Sequence, residues 1–290
     1  GWSFLYLFKK KTMIIWLASY PKSGNTLLRS ILASYFFSKD GNFNFNHLSF
    51  INQFPTISQF SQLGIDTSNE KEIFRNFIEA QKLMNKEEKS IKFLKTHSSL
   101  SKINNVNFTD FNNSLGAIYI VRDPRNVVTS FAHHYGLSIE QSTNIMINKK
   151  KWLSKTDITY NTFLGSWNIN YNSWKQFKNN LLLIKYEDLV SKKKTTLIKI
   201  FKFIKILTNN SFEIDMVKLN KSIKSTEFQK LKKLEEEKVF TESMIDNATG
   251  KRRKFFRLGK ANNWKLHLDE KFTDIIERKF EKEMIELGYL

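Results

Sequence analysis

Residues 13–37 read MIIWLASYPKSGNTLLRSILASYFF, and this stretch sets the kind of fold the rest of the chain has to build. The apolar run Met13 to Ala18 is continuous rather than alternating, and far shorter than a membrane span, so it predicts a strand covered on both faces. It runs straight into Ser19-Tyr20-Pro21-Lys22-Ser23-Gly24-Asn25-Thr26, after which Thr26 to Phe37 has helical spacing. A strand, a tight turn and a helix in immediate succession aim unpaired backbone N–H groups and the positive end of the helix dipole at one point. Lys22, Ser23, Asn25 and Thr26 add side-chain donors there. Such a turn suits a phosphate; the plainer alternative is an ordinary turn in which Ser23 or Asn25 caps the helix. Lys22 precedes Gly24, so the G-K-[ST] order that sets a lysine on terminal phosphates and a hydroxyl on Mg²⁺ is missing, which weakens the case for ATP or GTP hydrolysis.

Three more short apolar runs, Ile91 to Leu94, Ala117 to Val121 and Leu181 to Ile184, predict buried strands. Helical patterns lie among them at Asn126 to Tyr135, Phe163 to Phe177 and Thr195 to Ile204, and a last helix is predicted from Lys271 to Leu287, stopped by Gly288. This alternation predicts a single α/β domain with a central, mostly parallel sheet flanked by helices. No internal repeat and no Pro/Gly/Ser-rich linker divides it. Asn42 to Asp66 and Glu235 to Arg253 read as loops or lids. At the start, Trp2 to Phe8 is apolar and three lysines follow, but a run of this length cannot span a bilayer. Residues 1–12 are therefore expected to be an extension, from upstream translation or a truncated leader, ahead of a domain at 13–290. No other segment reaches membrane-spanning length.

The 290 residues carry 47 Lys plus Arg against 28 Asp plus Glu, a formal charge of +19, with 41% apolar and 14% aromatic residues. That apolar content builds a core and excludes a disordered basic tail. The absence of Cys excludes disulfides, thiolate metal sites and a cysteine nucleophile. It fits a reducing cytoplasm, the expected location, or a compartment where bridges are not used. The charge asks for an anionic partner: nucleic acid, a membrane surface or a small polyanion. Yet 39 of the cations are Lys and 8 are Arg, in a chain with 28 Asn and 7 Ala, a profile that AT-rich coding produces whatever the function. The basic runs, such as Lys149 to Lys151 and Lys192 to Lys194, read as solvated faces. Because no dense basic stripe is interleaved with aromatics, a nucleic-acid or membrane-surface binder stands only as a rival reading.

The strand Ala117 to Val121 ends in Arg122-Asp123-Pro124-Arg125, and Ser130 lies eight residues after Arg122. Pro124 suits the first helical position and Asp123 the cap, which puts Ser130 in the second turn. A guanidinium, a hydroxyl and a helix end then converge on a second phosphate. Arg125 is set aside as equally suited to a structural salt bridge. Ile91 to Leu94 leads into Lys95-Thr96-His97, at the strand end where ligands bind in open α/β sheets. His47, His133, His134 and His267 read as ordinary surface or core residues.

Taken in chain order, PKSGNT at 21–26, KTH at 95–97, RDPR at 122–125 with Ser130, and YEDL at 186–189 resemble the sulfotransferases that use 3′-phosphoadenosine 5′-phosphosulfate (PAPS), over about residues 13 to 288. The resemblance implies a P-loop nucleotide-kinase-like topology and PAPS as co-substrate, released as PAP, with no metal. It implies in-line transfer of a sulfuryl group to an acceptor hydroxyl or amine. His97 would be the base, Lys22 would stabilise the leaving phosphate and Lys95 would hold the transferring group. For the nucleotide it implies contacts from Lys22, Ser23, Gly24, Asn25, Thr26 and Leu27 in the first turn, and from Arg122 and Ser130 at the 3′-phosphate. Tyr186, Thr226 and Phe228 would lie near the adenine, with Arg257 and Gly259 in a closing loop. Leu27 stands where many members carry a tryptophan, and Leu258 replaces the loop's usual lysine; both bear on nucleotide affinity more than on chemistry. Six of the eight arginines, Arg29, Arg122, Arg125, Arg252, Arg253 and Arg257, lie in or beside these segments. The acceptor, a small molecule, lipid or glycan, is expected against Phe43 to Phe60 and Glu235 to Arg253. The enzymatic rival is a P-loop nucleotide kinase or NTPase acting on ATP.

Overall fold

A strand without a polar face has to be covered twice, and β1 (Ile14–Ser19) is buried along its whole length. Ile14, Trp16 and Ala18 enter one core while Ile15 and Leu17 enter the other. In the computed structural model, which describes residues 13–87, 92–238, 240, 242–246, 249–259 and 262–290, β1 lies inside a four-stranded sheet. Its companions are β2 (Lys92–Thr96), β5 (Ser114–Val121) and β8 (Leu181–Lys185), in the order β2-β1-β5-β8 and all parallel. Two small antiparallel ladders lie outside the sheet, β3 (Lys102–Ile103) with β4 (Val106–Asn107) and β6 (Trp152–Leu153) with β7 (Thr162–Phe163).

The helices in chain order are α1 (Asn25–Phe37), α2 (Glu70–Arg75), α3 (Phe77–Glu87), α4 (Pro124–Tyr135), α5 (Ile139–Ile147) and α6 (Trp167–Trp174). They continue with α7 (Tyr186–Ser191), α8 (Lys193–Thr208), α9 (Met216–Ser225), α10 (Phe228–Glu237), α11 (Trp264–His267) and α12 (Glu270–Glu286). Side chains of α3, α4, α6 and α12 fill the core on the Trp16 side of the sheet, and those of α1, α8 and α9 fill the Leu17 side. The expected α/β architecture is thus three layers around an all-parallel sheet. Among the described residues no helix is long and apolar enough to cross a membrane.

Several boundaries move, each for a local reason. The expected 1–12 extension lies outside the described residues, as do Ile91 and residues 239, 241, 247 and 248 of the expected loop. β5 begins at Ser114, three residues ahead of the apolar run, because Ser114 pairs with Ile14 of β1, and its hydroxyl accepts the buried Trp16 indole N–H at 2.8 Å. The helix expected from Phe163 to Phe177 is shorter: Phe163 pairs in β7, Gly165 turns at φ +66°, and α6 starts at Trp167. The 42–66 stretch forms three short 3₁₀ turns rather than an open loop. Its Phe54 and Phe60 are wholly buried, with Phe54 packed on Trp16 and Phe77, because a phenylalanine in a polar stretch carries no local mark of which way it faces.

The sheet order creates the site. The chain leaves β1 for β2 on one side and β5 for β8 on the other, so the switch point of the sheet, the place where open α/β folds bind ligands, lies beyond the carboxyl ends of β1 and β5. Arg125, just past β5, is one of the struts of that end. It is paired with Asp123 at 2.7 Å and Glu277 at 2.6 Å, donates to the Tyr289 carbonyl at 2.8 Å, and lies over the Trp264 ring. Replacing Arg125 by Ala leaves the buried Asp123 carboxylate without its guanidinium, so Arg125→Ala is expected to lower stability by about 3 kcal/mol in urea unfolding; a loss below about 1 kcal/mol would contradict this reading of the pair.

Candidate functional site

The turn after β1 is held open by its backbone. Lys22 has φ +66° and Gly24 φ +101°, and Gly24, with no side-chain cap, precedes the first residue of α1. Neither Ser23 nor Asn25 caps the helix, which overturns the plainer alternative: the Asn25 side chain turns back to the Leu17 carbonyl at 2.9 Å. Leu28 is the first residue whose N–H reaches a carbonyl inside the helix turn, that of Gly24 at 3.2 Å. The donors before it face the crevice end of α1. Gly24 is needed for a second reason, since a Cβ there would stand 2.4 Å from Cδ2 of Tyr186.

Arg122 crosses from the end of β5 to the same turn, donating from Nη1 to the Lys22 carbonyl at 3.0 Å and lying 4.3 Å from the Tyr186 ring centroid. Three polar atoms at this junction, Ser23 Oγ, Asn25 Oδ1 and Arg122 Nε, are buried without a protein partner, and the first and last of them can donate. A buried hydroxyl and a buried guanidinium N–H left unpaired are costly unless a ligand oxyanion takes them, so the residues present fit an anionic nucleotide. The Asp123 carboxylate accepts from the Arg125 N–H at 2.9 Å and caps α4. The Asp123 N–H donates to Glu187, whose other oxygen accepts from the Tyr289 hydroxyl at 2.9 Å.

At the end of β2, Lys95 is buried and its ammonium meets the Glu242 carboxylate at 3.0 Å. Burial, opposed by Glu242, pushes the Lys95 pKa down. His97 Nδ1 lies 2.9 Å from the Ser19 carbonyl. A carbonyl only accepts, so the proton sits on Nδ1 and the Nε2 lone pair is free to act as a base. Burial and then the neighbouring Lys95 lower the His97 pKa to about 3, which keeps the ring neutral near pH 7. Its main-chain carbonyl is fixed by Asn170 at 2.9 Å, and Asn170 in turn accepts from Tyr119 at 2.8 Å. Lys22 extends over the Phe255 ring, 3.6 Å from the centroid, and burial, Arg122 and Lys95 lower its pKa to about 7.

The later segments gather on the other side of the turn. Phe228 begins α10 and lies under Gly259, where a Cβ would meet its ring at 2.9 Å. The Glu235 carboxylate accepts the N–H groups of Phe255 and Phe256 at 2.7 and 3.0 Å, and so holds the Lys22-facing ring in place. The structure thus brings Lys22, Gly24, Arg122 and Tyr186 into one contact chain, with Ser19 linking His97 to the same turn. Thr226 is wholly buried and its hydroxyl donates to the Ser222 carbonyl at 2.7 Å. Leu27 is half-buried against the core on the α1 side. Ser130 is half-buried in α4, and Arg257 is exposed but near enough to lower the His133 pKa.

The residues that sequence reading missed are Glu242 and Glu235. Glu235 lies in the last turn of α10, so the expected loop from Glu235 begins only after Glu237, and Glu242 lies beyond that helix; in both places nothing local tells a buried carboxylate from a solvated one.

The family model of the sulfotransferase domain matches residues 13–288. The chain belongs to this family. Relatives include an amine sulfotransferase of Oryctolagus cuniculus, 25% identical over 60% of this chain, and sulfotransferase 2A6 of Mus musculus, 28% identical over 60%. Those matches span 56% and 58% of the relatives' own lengths. Sulfotransferase 1C2 of Homo sapiens is 22% identical over 97% of this chain and 88% of its own. Among solved structures, mouse sulfotransferase SULT7A1 complexed with PAP superposes with a TM-score of 0.56, at 20% identity, over 97% of this chain and 88% of that one. Retinol dehydratase in complex with androsterone and the inactive cofactor PAP gives 0.58, at 17% identity, over 97% and 83%. These likenesses establish the sulfotransferase fold.

Gly24 carries the tightest steric demand in the sulfotransferase turn. Gly24→Ala is expected to destabilise the protein by about 2 kcal/mol or more and to displace Tyr186. Equilibrium unfolding together with the fluorescence of the variant checks this, and a stability equal to the parent's would contradict the close approach.

Proposed function

We propose that this chain transfers a sulfuryl group from PAPS to an acceptor hydroxyl or amine by in-line displacement, in the cytoplasm. The observation that carries the reading is the Arg122-to-Lys22 contact. It joins two anion-binding segments, one after β1 and one after β5, into one crevice suited to a nucleotide with phosphates at two separate positions. ATP, with its phosphates in one chain, is a poorer match to that division. The first turn, Lys22 to Thr26, faces the 5′ end in this reading. Arg122 and Ser130, with Arg257 and Gly259, face the 3′-phosphate, and Tyr186, Thr226, Phe228 and Leu27 lie on the base side.

PAPS supplies the activated sulfuryl group. His97 accepts the acceptor's proton at Nε2 while its Nδ1–H stays on the Ser19 carbonyl, so the ring is already in the tautomer the step needs. As the acceptor oxygen bonds to sulfur, the bond from sulfur to the 5′-phosphate oxygen breaks and the charge returns to that phosphate. Lys22 stabilises it there, and Lys95 faces the transferring group. Burial and, after it, the Lys95 charge depress the His97 pKa; a bound polyanion offsets the second of these, so the base gains strength when the nucleotide is in place. The acceptor is proposed to be a small molecule, a lipid or a glycan. Retinol dehydratase, a fold neighbour solved with androsterone and with retinol, supports the small-molecule case.

Calorimetry is expected to show PAP binding far more tightly than ATP with Mg²⁺. His97→Ala is expected to keep PAP affinity within about threefold while turnover falls by at least about 100-fold; unchanged turnover would remove His97 as the base. Lys22 holds its proton below pH of about 7 and loses it above. PAP affinity is therefore expected to weaken as pH rises through that value, and Lys22→Ala to abolish this limb while slowing transfer by at least about tenfold. A pH dependence that persists in Lys22→Ala would assign it to another group.

A further inference from the structure

Arg29 is one of the eight arginines and takes no part in the mechanism above, yet it is buried at the mouth of the site. Its Nε donates to the Ile51 carbonyl at 2.6 Å and its Nη2 to the Leu48 carbonyl at 2.9 Å. Two backbone anchors of this kind lock the guanidinium plane and leave the Nη1 corner aimed toward Lys95 and Thr26. What meets that corner is the Glu242 carboxylate, through Oε1. Its Oε2 accepts from Lys95 Nζ at 3.0 Å and from the Thr26 hydroxyl at 2.9 Å. One carboxylate is thus gripped by a planar fork, an ammonium and a hydroxyl at the amino end of α1. Burial alone would raise its pKa, but Lys95 and Arg29 hold it well below the usual carboxylate range, so it is a fixed anion.

A hydroxyl has a single proton to donate. While the Thr26 O–H is committed to Glu242 it is not available to an oxyanion of the nucleotide, and a second anion set against the same Lys95 would meet a like charge at close range. Glu242 also stands outside the regular elements. It lies beyond the end of α10, next to Ser243, whose hydroxyl donates to Glu235 at 2.7 Å.

We infer that Arg29, Lys95 and the Thr26 hydroxyl form an oxyanion seat at the 5′ end of the nucleotide site, and that Glu242 is a resident counter-anion which the nucleotide's own oxyanion displaces. The inference rests on the nucleotide reading for its natural ligand, but the seat itself is a statement about any tetrahedral oxyanion. Arg29 becomes a binding residue of the sulfotransferase site, and Glu242 a competitor that sets the affinity.

The test is calorimetry on the full chain with two probes, PAP and inorganic sulfate, using the parent, Glu242→Gln and Arg29→Gln. Glu242→Gln removes the competing charge and keeps the shape, so both probes are expected to bind at least about fivefold more tightly. Arg29→Gln in the Glu242→Gln background is expected to reverse that gain, with circular dichroism reporting whether the fold is kept. Should the double variant not fold, Arg29→Lys in the same background serves in its place and is expected to reverse part of the gain. If PAP fails to bind any variant while sulfate binds more tightly to Glu242→Gln, the nucleotide reading fails and the seat stands. If Glu242→Gln binds both probes no better than the parent, the seat is overturned, and Glu242 is a structural tie.

Discussion

Positive charge held out of water at the carboxyl ends of β1, β2 and β5 is the constraint on which the rest of this site depends. Lys95, Arg29 and Arg122 are buried there and Lys22 is half-buried, in a space small enough for their fields to overlap. Desolvating several like charges is unfavourable, and the fold offsets it with groups chosen for shape as well as charge. The Phe255 ring covers Lys22, the Tyr186 ring covers Arg122, the Lys22 carbonyl takes an Arg122 N–H, and Glu242 sits between Lys95 and Arg29. Even so, Arg122 Nε remains unpaired, and the Lys22 pKa falls to about 7. A site balanced in this way gains stability from an anion that reaches Lys22 and the free Nε of Arg122.

Burial first, and the same field after it, set the state of His97. An imidazole beside Lys95 and Lys22, removed from water, does not take up a proton near pH 7, and its link to the Ser19 carbonyl selects the tautomer. Base and cations are therefore coupled: what stabilises the cations also restores basicity to the histidine. Binding and chemistry in the proposed reaction share one electrostatic source, which is economical in a cleft lined by the ends of three adjacent strands.

The overall charge of +19 plays little part in this local balance. Most of it is lysine on solvated faces, whereas the arginines are placed with purpose. Arg122 and Arg29 face the site, while Arg125 is spent in a buried pair with Asp123 and Glu277. Where a fixed plane with several N–H groups is required, lysine does not substitute. The exposed Arg257, by contrast, lies outside the contact chain of the turn.

The sequence by itself determined the strand-turn-helix after Met13, the other three strands of the sheet, the Pro124 start and Asp123 cap of α4, and the presence of Lys22, Lys95, His97 and Arg122 at strand ends. All of these follow from periodicity and turn chemistry within a dozen residues. Tertiary structure alone decided that Gly24 caps α1 bare, with the Tyr186 ring pressed against it, and that Phe54 and Phe60 belong to the core. It also decided that the Thr226 hydroxyl is tied to its own helix and that Glu242 stands among the cations. These depend on burial and on partners as far as 216 residues apart, as Thr26 and Glu242 are. Desolvation and long-range contact are set by how the elements pack, and no local pattern records them.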